Sequence, residues 1–181
     1  LRRLQTDYID LYLLHSPDGS SDWEEICASM EQLKVTGKIR YWGLSNHDAE
    51  MVESCISTAC RLGVSGPAVL EEYYTIAGCA LSDAGRSRVR KLEQELFPVA
   101  RNHSLGVMAY SPLDAGHLSE HARPNSQSAL ANLHDTLDQA AAELDISRTQ
   151  ICVAWVISHQ EVSAVLSGPE QPGHVDEMLA G

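Results

Sequence analysis

The chain has 181 residues, enough for one domain with a sizeable buried core, and its 44% hydrophobic and 21% charged residues suit an ordinary globular protein. Twenty-five acidic against 13 basic side chains give a formal charge of -12, a field that repels a phosphate backbone and argues against nucleic acid as a partner. No apolar run reaches the roughly 18 to 20 residues of a membrane helix, and no signal segment opens the chain, so no membrane partner is expected; a cytoplasmic location is expected from cysteines that read as reduced, packed thiols.

Tyr8–Leu14 (YIDLYLL) is rich in β-formers and stops at His15-Ser16-Pro17, which predicts a strand. Asp22 then caps a helix with Glu24 and Glu25 in its first turn. Ile26, Met30 and Leu33 recur at helical spacing, and Gly37 ends the run. Ile39–Leu44 is the next strand, and Asp48 caps a second helix to about Arg61, before Gly63. Pro67–Glu71 predicts a short strand and Leu81–Arg88 a polar connection. The helix expected over Val89–Asn102 contains Pro98, which should kink or divide it. Gly106–Tyr110 is a strand, Ser111–Gln127 a loop by composition, and Ser128–Leu144 a helix. Ser147 caps another helix to Ser158, Val162–Leu166 is the last strand, and Pro172–Leu179 the last helix.

Strands that alternate with helices in this way mean parallel βα units. Such units close into a (β/α)8 barrel or spread into an open doubly wound sheet. No glycine fingerprint of the dinucleotide-binding type follows any strand, which counts against the open sheet. In a barrel the chemistry sits at the C-terminal strand ends, and His15, Ser45, Asn46, Glu71, Tyr110 and Ser111 fall at or near such ends. The cysteines Cys27, Cys55, Cys60, Cys79 and Cys152 form no CxxC pair and are expected to be reduced. His117 and His121 stand four apart, with His134 further on, but in a Pro- and Ser-bearing loop without a carboxylate-histidine signature, so no metal site is expected.

Three motifs stand at strand ends in a fixed order: YIDLYLLH (Tyr8–His15), GKIRYWGLSN (Gly37–Asn46) and AYSPL (Ala109–Leu113). In order and spacing they resemble the aldo-keto reductases, and more closely the branch with potassium-channel β-subunits and bacterial reductases. The resemblance covers nearly the whole chain but only the second part of the family's barrel. It implies an α/β fold, a partial (β/α)8 TIM barrel of about strands 4 to 8 with their helices. Residues 1–181 would then be the C-terminal portion of a single barrel domain whose N-terminal strands are absent.

The implied activity is reversible reduction of an aldehyde or ketone to an alcohol, with NADP or NAD as cofactor and a small carbonyl or alcohol as substrate. His15 matches the family's histidine, which orients the carbonyl or assists proton donation, a task suited to a ring that donates while neutral. Ser45 and Asn46 match the pair that hydrogen-bonds the nicotinamide carboxamide. Glu71 stands where a glutamine is usual and lacks its NH2 donor; Glu72 beside it is expected to be solvated. Tyr74 matches an aromatic that stacks on the nicotinamide ring. Ser111, Pro112 and Leu113 match a loop that receives the pyrophosphate. After Gly168, Glu170 and Gln171 replace a basic residue that grips the 2′-phosphate of NADP, which favours NAD. Glu177 matches the adenine-side glutamate, while Met178 replaces an asparagine. No segment matches the family's aspartate, tyrosine and lysine, so the chain is expected to be an incomplete fragment, inactive alone. The alternative is a catalytically weak regulatory or binding protein built on the same barrel. The oligomeric state is left open.

Overall fold

β-forming runs that alternate with amphipathic runs fold into strands that alternate with helices. The computed structural model describes residues 1–19, 22–79, 88–120, 122 and 130–179. The polar stretch 81–87, His121, residues 123–127 and Ser128 therefore lie outside the described residues. Strands β1 (Ile9–Leu14), β2 (Ile39–Ser45), β3 (Val69–Tyr73), β4 (Gly106–Tyr110) and β5 (Val162–Leu166) form one five-stranded sheet in chain order. β1 pairs with β2, and β2 with β3, in parallel. The helices are α1 (Trp23–Val35), α2 (Ala49–Leu62), α3 (Phe97–His103), α4 (Ala131–Leu144), α5 (Arg148–Ile157) and α6 (Pro172–Leu179). Neighbouring parallel strands joined through helices are the partial (β/α)8 arrangement that the sequence implies.

Element ends follow local chemistry. The Asp22 carboxylate accepts from Glu24 N, and that of Asp48 from Met51 N, at the starts of α1 and α2. Gly63 closes α2 in the left-handed region at φ 67°, a conformation that costs glycine little. Ser147 and Gln150 form a reciprocal capping box on α5. Pro98 does divide its helix. A π-helical turn, Leu92–Leu96, precedes α3, and Pro98 sits in the first turn of α3, where a missing N–H costs nothing.

β3 departs from the expected Pro67–Glu71 by two residues. Pro67 has no N–H to give a ladder, and pairing begins where Ala68 N donates to Trp42 O and Val69 stands opposite Gly43. A two-residue shift keeps the face of each side chain, and alternation along β3 turns Leu70 and Glu72 inward. Glu72 is thus buried at 8% exposure, which corrects its expected solvation. At Gly43 the strands approach so closely that a Cβ would press on the Val69 carbonyl oxygen and lie 2.8 Å from Leu13 Cδ2. Only glycine lets β1, β2 and β3 meet there.

The chain divides into two compact units. The first, Leu1–Glu72 with Glu95–Val107, buries residues of α1, α2, β2, β3 and α3, among them Cys27, Trp42, Leu44, Val52, Leu70 and Ala100. The second, Tyr73–Gln94 with Met108–Gly181, packs Ala77, Leu118, Leu137 and Cys152 together, with Leu113, Leu133 and Ile151 against them. Cys27, Cys55, Cys60 and Cys152 are free thiols. Among the described residues no helix is long and apolar enough to cross a membrane.

Candidate functional site

In the first unit the strand ends are tied to one another through Asn46. This residue follows β2 in the left-handed region at φ 60°, a conformation asparagine tolerates better than most side chains. Its Nδ2 donates to the carbonyl oxygen of His15 at the end of β1 and to Ser45 Oγ, each at 2.9 Å. Its backbone N–H donates to Glu71 O at 3.3 Å, and Glu71 is the cross-strand partner of Ser45. Four residues singled out in the sequence, His15, Ser45, Asn46 and Glu71, are therefore brought together by main-chain and amide hydrogen bonds. Ser45 is buried, Asn46 and Glu71 are half-buried, and His15 is exposed with its ring outside this hydrogen-bond set.

His47 belongs to the same corner and went unnoticed in the sequence. It is 3% exposed, its Nδ1–H donates to Ser45 O at 2.8 Å, and its ring lies 5.8 Å from that of Trp23. Burial holds its imidazole below the ordinary value of 6.5, against opposing pulls from the Ser45 carbonyl and Asp48. A histidine at a helix entry carries no periodic signal, so only packing reveals this support behind Ser45.

In the second unit the segment after β4 turns through left-handed conformations at Ser111 (φ 59°), Asp114 (φ 48°), Ala115 (φ 52°) and Gly116 (φ 86°). Asp114 N donates to Ser111 O, Gly116 N to Leu113 O, and Thr75 Oγ1 pins the Pro112 carbonyl at 2.8 Å. Over its described residues 111–120 the expected loop is built of hydrogen-bonded turns. A cavity of about 580 Å³ opens beside it. Ser111, Pro112, Leu113, Gly168, Glu170 and Glu177, predicted from distant parts of the sequence, all line this one space. Ser119, Glu120, Thr149 and Met178 also face it, and the lining holds no Lys or Arg among the described residues.

Tyr74 requires a correction. Its ring is fully buried (0% exposed), packed against Trp155 at 5.0 Å and His159 at 5.1 Å, and its hydroxyl donates to Glu93 at 2.8 Å. No face is left to stack on a ligand ring; it is a core aromatic with a satisfied hydroxyl. Tyr73 and Tyr110 are half-buried, and their rings meet edge to face at 5.9 Å. Tyr73 donates to Asp114 at 2.6 Å, and Arg88 donates to the Tyr110 hydroxyl at 2.7 Å. Burial, reinforced by the Asp114 carboxylate, pushes the Tyr73 phenol up.

Arg148 also escaped the sequence reading. It is 1% exposed, and Nη2 donates to the carbonyls of Ser119 (2.8 Å), Glu120 (2.9 Å) and Ala122 (3.4 Å). Nη1 donates to His134 Nδ1, and Nε lies 3.1 Å from an Asp138 carboxylate oxygen. His134 in turn donates through Nε2 to the His117 carbonyl, so both nitrogens of its ring are engaged, one by a buried arginine and one by a backbone oxygen. Among the described residues no group of three or more His, Cys, Asp or Glu could hold a metal ion.

A family model described as "Aldo/keto reductase family" matches residues 1–180. The chain belongs to that family. Among aldo/keto reductase relatives, methylglyoxal reductase YeaE of Escherichia coli (strain K12) is 37% identical over 170 residues, 91% of this chain and 50% of that protein. A probable voltage-gated potassium channel subunit beta of Oryza sativa subsp. japonica is 31% identical, over 99% of this chain and 58% of that protein. A solved thermostable aldo-keto reductase, Tm1743 with the inhibitor epalrestat, superposes with a TM-score of 0.77 at 28% identity, over 99% of this chain and 56% of that one. The chain thus spans about half the length of the aldo/keto reductases it matches.

Proposed function

We propose that this chain serves an oxidoreductase that reversibly reduces an aldehyde or ketone to an alcohol with a nicotinamide dinucleotide, NADH in preference to NADPH. The observation that carries this reading is the convergence of Ser111, Pro112, Leu113, Gly168, Glu170 and Glu177 on one cavity. Its volume lies within the range of small-molecule sites, roughly 300 to 1,000 Å³. The donor chemistry fits the adenosine and phosphate end of such a cofactor: serine and threonine hydroxyls, turn backbone, and apolar Leu166 and Met178. Glu170, and a lining without Lys or Arg among the described residues, suit a free ribose hydroxyl better than a 2′-phosphate.

Bound nicotinamide supplies the hydride; the residues of the chain orient and polarise. The exposed His15 ring donates a hydrogen bond to the substrate carbonyl oxygen while neutral, steadying charge as it develops. Ser45 and Asn46 would hold the nicotinamide carboxamide. Similarity to a protein named methylglyoxal reductase makes small aldehydes the substrate class of choice. A second reading, binding with little turnover, is favoured by Glu71, which supplies no NH2 where the family has an amide, and by similarity to a protein named as a channel subunit. Fluorescence titration of the chain with NADH and NADPH tests binding, and a carbonyl panel that includes methylglyoxal, run on a longer protein that carries this chain together with the family's aspartate, tyrosine and lysine, tests turnover. No binding of either dinucleotide would remove the proposal, and binding without turnover would leave the second reading.

A further inference from the structure

Glu120 differs from the other groups around the cavity in how it is held. Its carboxylate accepts the backbone N–H of Arg148 and, at 3.4 Å, that of Thr149, both in the first turn of α5. The positive end of α5 is thus matched by this side chain. From behind, the buried Arg148 guanidinium donates to the Ser119, Glu120 and Ala122 carbonyls and is braced by Asp138 and His134. One residue clasps Glu120 by both its main chain and its side chain. The carboxylate cannot swing out of the wall without breaking that set.

We propose that Glu120 is a specificity-determining residue: a fixed negative charge in the cavity wall that discriminates against a nucleotide carrying an additional phosphate. This rests on reading the cavity as the adenosine end of a nicotinamide cofactor. Glu170 and Glu177 share the lining with His174, and no Lys or Arg among the described residues lines it, Arg148 lying behind the wall on the Glu120 carbonyl. An added ligand charge therefore meets three carboxylates in a half-enclosed space. Clasped by Arg148 and the α5 amides, Glu120 cannot relax away from an incoming phosphate as a free side chain would. For a half-exposed carboxylate in salt, removing one such charge changes relative binding by about three- to tenfold.

The test is the pair of dissociation constants for NADH and NADPH, measured by fluorescence on the full chain and on Glu120→Gln. Glutamine keeps an oxygen for the α5 amides and removes the charge, so folding and charge are separated. The unaltered chain is expected to prefer NADH, and Glu120→Gln to tighten NADPH about three- to tenfold more than NADH. Should Glu120→Gln lose its folded circular dichroism, Glu120→Ser is the second neutral variant, with the same expected change in ratio. A ratio unmoved by either variant, while both dinucleotides bind, overturns the role of Glu120 and leaves the cavity reading standing. If the unaltered chain binds neither dinucleotide, the cavity reading falls and this inference falls with it.

Discussion

Asn46 and His15 show how one side chain can be tied to a site through its neighbour's backbone. Asn46 holds the carbonyl of His15, not its ring, so His15→Ala removes the imidazole and keeps the link between β1 and β2. In a preparation that turns over carbonyls, this variant is expected to lower kcat about 100-fold while dinucleotide affinity stays within about twofold. Comparable loss of kcat and of binding would argue that the ring shapes the corner instead. Arg148 lies at the other extreme, a buried cation whose two Nη atoms donate inside the protein and whose Nε faces the Asp138 carboxylate. Arg148→Met strands the carbonyls of Ser119, Glu120 and Ala122 together with Asp138, and is expected to cost about 3 to 5 kcal/mol in urea unfolding. Arg148→Lys, with a single donor head, should recover less than half of that. The difference in legibility is physical. His15 and Asn46 sit at the ends of apolar strands, where a polar residue stands out. Arg148 begins a helix, where a charged residue is ordinary until its burial is seen.

At the scale of elements, caps and breakers were readable because they act within a few residues. Asp22, Asp48, Gly63, Ser147 and Pro98 each do locally what their chemistry requires. The start of β3 was not readable, because it is fixed by pairing with β2 from Ala68 onward. The same pairing makes Gly43 a point of contact among three strands. Gly43→Ala forces its methyl against the Val69 carbonyl and is expected to destabilise by about 1 to 3 kcal/mol. Thermal unfolding, with amide exchange along β2 and β3, checks this. Wild-type protection of those strands in the variant would mean that the sheet yields more easily than its geometry allows.

For the molecule as a whole, pH acts through groups that burial has displaced. His47 has a lowered folded pKa, so the unfolded chain binds the extra proton more readily than the native one. The stability it protects is fully present above about 6.5, the unfolded value, and is lost as pH falls from there to the folded value. Urea midpoints from pH 8 to pH 5 should therefore fall less steeply for His47→Gln than for the unaltered chain. Equal slopes would mean that His47 is not held neutral. The sequence by itself determined the alternation of strands and helices, the family, and which strand ends carry polar residues, because these depend on periodicity and short motifs. Only the tertiary structure decided that Tyr74 is core, that Glu72 is buried, and that Glu120 and Arg148 clasp each other beside the cavity. Burial and hydrogen-bond partners arise between residues far apart in the chain, and no local pattern records which side chains will meet.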